Sequence, residues 1–114
     1  MSAPTEHDAG AVFAALADPT RRRVLQALAE RPGVTASTLA GELPVSRQAI
    51  VKHLTALRAA GLAEREREGR EAHYRLRPAP LTDAVAWMAT TGAQWDDRLA
   101  RLQRRLSAEA SARR

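Results

Sequence analysis

Between residues 35 and 63 the apolar positions follow two short helical periods separated by a proline. Leu39, Ala40 and Leu43 fall on one helical face, and Ile50, Leu54 and Leu57 then recur at i, i+4 and i+7. Pro44 biases Leu43 away from helical angles and so ends the first helix. Thr35 and Ser46 stand where hydroxyl N-caps are needed, each offering an oxygen to the free amides of the turn behind it. Gly61, following Ala59-Ala60, suits a left-handed C-cap. The second helix leaves Arg47, Gln48, Val51, Lys52 and Thr55 on its outer face. A short supporting helix, a three- or four-residue turn and a longer presented helix form the unit that places side chains in a DNA major groove. An ordinary helical hairpin with a solvated face would carry the same apolar stripe, so the flanking segments decide.

Upstream, Ala9 to Ala17 reads as a short helix with Val12, Phe13 and Leu16 on one side. Asp18-Pro19 is an N-cap followed by proline at the first helical position, and the next helix runs to about Glu30 with Val24, Leu25 and Leu28 inward. Arg21, Arg22 and Arg23 sit in its first turn, where the helix dipole disfavours positive charge. A phosphate or acidic partner would relieve that conflict; solvation would leave it in place. Downstream, two extended runs flank Glu68-Gly69 and predict a hairpin with a turn of about four residues. Alternation sends Arg65 and Arg67 to one face and Glu64, Glu66 and Glu68 to the other, while Ala72, Tyr74 and Leu76 of the returning strand face the core. Arg70 sits at the tip. A two-stranded ribbon directly behind such a helical unit is a wing, whose arginines would reach backbone or minor groove.

The last segment repeats with strict 4-3 spacing. Leu81, Val85, Met88, Gly92, Trp95, Leu99, Leu102 and Leu106 occupy the seam, seven of the eight being apolar and the eighth the smallest residue. A helix over 80–107 would be about 42 Å long, more than so small a domain can cover by itself. The excess predicts a partner, and a second copy is the simplest; folding back as two helices is the alternative. Thr90-Thr91-Gly92 lowers helix propensity and predicts a kink or a close helix crossing at Gly92. Trp87 lies beside the seam and reads as packing.

Composition narrows the classes. At 114 residues the chain reads as one domain, 9–107, with 1–8 and 108–114 expected to be disordered. There is no cysteine, which excludes disulfides, thiolate metal sites and cysteine nucleophiles. With no apolar leader and no run long enough to cross a bilayer, a soluble, cytoplasmic protein is expected. Net charge is +5, and Lys52 is the single lysine among 18 basic residues. Guanidinium groups fork onto phosphate oxygens, so this excess suits nucleic acid, although arginine also accumulates in proteins of GC-rich genomes. No Ser–His–carboxylate grouping and no glycine-rich phosphate loop is present, so an enzyme is not expected.

The stretches LADPTRRRVLQALAE, SRQAIVKHLTALRAAGLAERE and EGREAHYRL, across residues 9 to 80, resemble the ArsR family of bacterial winged-helix regulators. The resemblance implies a mainly α fold with a small β-hairpin wing (α+β), a winged helix-turn-helix with a long C-terminal dimerisation helix. It also implies a homodimer that binds operator DNA, usually as a repressor, and that dimerises through its first and last helices. Many members sense metals. The thiolate motif of the arsenic- and cadmium-type sensors falls on Thr35 and Ser37 here, neither a soft-metal ligand. The last helix, where zinc-type members place Asp and His ligands, has Asp83, Asp96 and Asp97 but no histidine. His7, His53 and His73 lack metal-like spacing, so a non-metal branch with no cofactor is expected.

The sequence thus predicts a homodimeric repressor whose presented helices enter successive major grooves about 34 Å apart on an inverted-repeat operator. Ser46 at its helix N-terminus would receive a phosphate. Arg47 would read guanine and Gln48 adenine, Val51 a thymine methyl, and Lys52, His53 and Thr55 backbone or bases. Arg65, Arg67 and Arg70 are the wing contacts. The dimer contacts are Val12, Phe13 and Leu16 of the first helix together with the eight seam residues. A winged-helix module for protein or RNA, without operator specificity, is the competing class, as is a repressor answering to an unrecognised small-molecule or metal effector.

Overall fold

The computed structural model describes residues 9–112. Helix α1 covers Ala9–Ala15, two residues short of its expected end, because the chain tightens there: the Ala17 amide donates to the Ala14 carbonyl at 3.3 Å. Helix α2 covers Pro19–Glu30 and is capped by Asp18, whose carboxylate accepts from the Arg21 amide at 3.0 Å. Strand β1 is the pair Val34–Thr35, helix α3 is Ala36–Glu42 and helix α4 is Arg47–Ala59. Thr35 and Ser46 cap α3 and α4 as their hydroxyl positions predict, accepting from the Thr38 and Ala49 amides at 3.2 and 3.1 Å. Leu43 takes extended angles ahead of Pro44, and Gly61 follows α4 with a φ of 76°, the left-handed cap.

Strands β2 (Ala63–Glu68) and β3 (Glu71–Leu76) form the hairpin. Gly69, at φ 60°, and Arg70 are its two central residues. Glycine at a positive φ in the first of these positions is the primed-turn geometry that matches strand twist. The sheet has three strands rather than the two expected, in the order β1-β3-β2, all antiparallel. Val34 pairs with Tyr74 and Thr35 with His73. A two-residue strand leaves no periodicity to read, and only its β-branched pair hints at it. The arrangement ties the start of α3 to the wing, with the Gly33 amide donating to the Tyr74 carbonyl at 2.9 Å and His73 Nδ1 donating to the Gly33 carbonyl at 2.8 Å.

One core joins these elements. Val12, Val24, Leu28, Leu39, Ile50, Leu54, Leu57 and Leu62 are fully buried, with Tyr74 from β3 closing the wing side. Ala72 and Leu76 pack against it as alternation requires. The described residues divide into two compact units, one ending at Ala84 and one beginning at Val85, where the sequence suggested a single domain. The reason is burial: within helix α5 (Ala79–Ala112) only Pro80 and Ala84 are buried.

Helix α5 has 34 residues, about 51 Å at 1.5 Å each. It extends past the expected end at 107, so residues 108–112 are helical rather than a disordered tail. It runs unbroken through Gly92, where a Cβ would meet nothing within 4 Å, and it does not fold back as two helices. Residues 1–8 and 113–114, expected to be disordered, lie outside the described residues. Among the described residues no helix is long and apolar enough to cross a membrane.

Candidate nucleic-acid interface

The outer face of α4 is available as its periodicity requires. Ser46, Arg47, Gln48, Lys52 and Thr55 are exposed, with the inward stripe Ile50, Leu54 and Leu57 fully buried beneath them. Val51 is half-buried and packs against the core. The Thr55 hydroxyl donates to the Val51 carbonyl of its own helix at 2.8 Å, so its proton is committed and only lone pairs and the methyl face outward.

His53 stands elsewhere than expected. It sits on the flank of α4 turned to α2, where its Nδ1 accepts from Arg21 Nε at 3.4 Å. At 100° per residue it lies on the opposite side of the buried stripe from Val51, which removes it from the outer face. It is a contact between helices. The neighbouring arginines explain the charge conflict at the start of α2. Arg21 also donates to the Ala15 carbonyl at 3.4 Å and Arg22 to the Leu16 carbonyl at 2.6 Å. Both guanidiniums therefore serve the negative, unsatisfied end of α1, with no external anion required.

The wing brings its arginines to α4. Arg65 pairs across the sheet with Tyr74 and Arg67 with Ala72, so both point to the face that covers the core. Glu64, Glu66 and Glu68 oppose Arg75, His73 and Glu71 on the other face. Arg65, Arg67 and Arg70 line a cleft of about 340 Å³ whose opposite wall is Ser37 of α3 together with Arg47 and Val51 of α4. Within that wall Arg47 Nε donates to Ser37 Oγ at 3.2 Å. Ser37 had no role in the sequence beyond a vacant thiolate position. Its role depends on the α3–α4 crossing, which spacing alone does not give.

The expected dimer contacts separate into two groups. Val12 is fully buried inside its own protomer and is closed to a second copy, because the short α1 turns that side into the core. Leu16 and Leu81 are half-buried against the same core. Phe13 remains 36% exposed, and Val85, Met88, Trp95, Leu99, Leu102 and Leu106 are between 46% and 59% exposed.

Residues 16–66 match the sequence pattern of a helix-turn-helix domain family. Over 77 residues the chain is 35% identical to the transcriptional repressor SdpR of Bacillus subtilis, spanning 68% of this chain and 84% of that protein. An ArsR-like transcriptional regulator from Rhodococcus superimposes with a TM-score of 0.76 at 48% identity, over 84% of this chain and 90% of the other. The chain belongs to the ArsR family of winged helix-turn-helix transcriptional regulators. A homodimeric winged helix-turn-helix DNA-binding domain from Mycobacterium bovis, Mb0332, is 27% identical with a TM-score of 0.56, over 79% of this chain and 80% of that one. Thr35 and Ser37, expected from the resemblance to stand at a vacant thiolate position, respectively cap α3 and hold Arg47. Among the described residues no three His, Asp or Glu side chains come together as a metal site.

Proposed function

We propose that the protein is a homodimeric repressor that binds an inverted-repeat operator. The observation that carries this reading is the shared face of α4 and the wing: an exposed polar helix flanked by arginines whose strand neighbours Glu64, Glu66 and Glu68 point the other way. Phosphate contacts supply affinity and base edges supply sequence, so a face combining Gln48 and Lys52 with the wing arginines suits duplex DNA better than protein. Ser46 begins α4 with amides directed outward, a place for a phosphate.

Two copies are needed to span an operator of two half-sites about 34 Å apart. The half-exposed seam of α5 from Val85 to Leu106 is the surface that would join them. The homodimeric Mycobacterium bovis relative supports the same assembly. Repression would follow from occupying the operator in the cytoplasm. Selection of duplexes from a random-sequence pool tests the reading. An enriched inverted repeat with half-sites one helical turn apart is expected, and a pool that stays random after repeated rounds would refute it.

A further inference from the structure

We infer that Arg47 is a backbone clamp rather than a base reader, closing with Arg65, Arg67 and Arg70 on one phosphate segment of the operator and leaving base selection to Gln48 and Lys52. This rests on the DNA reading above and assigns work within the same site. Arg47 is the first residue of α4 and lies at the edge of its outer face next to the wing; Gln48 and Lys52 lie at the centre, pointing away from the buried stripe. The Nε bond to Ser37 Oγ draws its guanidinium toward α3 and into the cleft, away from the groove-facing centre of the helix.

The cleft itself has the chemistry of a phosphate seat. Four arginines and Glu71 line its volume of about 340 Å³. Among the described residues Arg31 pairs with Glu42, and the Glu68 and Glu71 carboxylates each lie 3.9 Å from His73 Nε2, so none of the four cleft arginines has a carboxylate partner. Like charges held together in one recess repel, and an anion between them turns that repulsion into attraction. Arginine forks suit phosphate oxygens, and one edge of Arg47 stays available while Nε is held by Ser37. A phosphate run entering here fixes the depth and angle of α4 in the groove, and that makes Arg47 a positioning residue.

The test compares Arg47→Ala, Arg47→Lys and Gln48→Ala on two probes: the inverted repeat enriched by the wild-type chain, and a scrambled duplex of equal length. Arg47→Ala should weaken both by the same factor, within about two-fold, and reduce the salt slope by about two per dimer, one phosphate contact per protomer. Arg47→Lys should restore most of that slope, because the charge is kept. Gln48→Ala should instead lower affinity for the repeat about ten-fold or more and leave the scrambled duplex unchanged. Loss confined to the repeat in Arg47→Ala would make Arg47 a base reader and overturn the inference. Unchanged binding to both probes would show that Arg47 contacts no phosphate and overturn it equally. A wild-type chain that enriches no sequence fails earlier, and that failure belongs to the DNA reading itself. Arg47 is exposed, so its replacement opens no cavity and the fold is retained in every arm.

Discussion

In the proposed homodimer, replacing Trp95 and Leu99 together by alanine should leave a monomer. The two side chains are 55% and 53% exposed in the protomer, so roughly half of each is still available for burial. Full burial of a large apolar side chain is worth about 1.5–3 kcal/mol, and the remaining half therefore about 0.8–1.5 kcal/mol. Each copy contributes both residues, which gives about 3–6 kcal/mol across the interface. At about 1.4 kcal/mol per decade, the dimer dissociation constant should rise by about 10² to 10⁴. Sedimentation equilibrium over nanomolar to high-micromolar concentrations reads this directly. Because neither side chain belongs to the core, the substitution removes no core packing, and helix content by circular dichroism should be kept. A dissociation constant unchanged in the double variant would refute the α5 seam as the joining surface.

Further outcomes follow from local geometry. Ser46→Ala removes the oxygen that holds the Ala49 amide and should cost about 1 kcal/mol in urea unfolding; an unaltered midpoint would contradict the cap. Leu54→Ala empties a fully buried position in the presented helix and should cost about 2–5 kcal/mol, whereas a cost under about 1 kcal/mol would place it outside the core. The Arg21 amide holds the Asp18 carboxyl below its ordinary value, so the folded chain keeps it ionised where the unfolded chain takes up a proton. That contribution is complete above the ordinary carboxylate range and is lost as pH falls through the folded value, so Asp18→Asn should flatten the acid limb of stability against pH. An identical acid limb in the variant would contradict the linkage.

Much of this architecture was legible because each local signal agreed with the next. The caps at Asp18, Thr35 and Ser46, the stop at Pro44 and the stripe Ile50–Leu54–Leu57 each specify one element without reference to the rest of the chain. The wing's separation of arginine from glutamate follows from strand alternation alone. What escaped the sequence is what depends on elements meeting. Strand β1 is two residues long and exists because β3 passes beside it. Arg21 and Arg22 look like misplaced charges until the end of α1 is found under them. His53 shares α4 with the outer-face residues but not their face, and Val12 is fully buried in the core. Ser37 acquires a partner through the crossing of α3 and α4. Helix α5 continues beyond 107 because Ala108, Glu109 and Ala110 are strong helix formers, a preference that the absence of apolar periodicity concealed.

Fluorescence anisotropy of the wild-type chain against labelled duplex, titrated across salt, bears most directly on the central claim that the face of α4 and the wing reads DNA. With about five phosphates neutralised per dimer, log K should fall against log salt with a slope near −4 to −5, and the enriched inverted repeat should bind far more tightly than its scrambled counterpart. A shallow slope with equal affinity for both duplexes would contradict it.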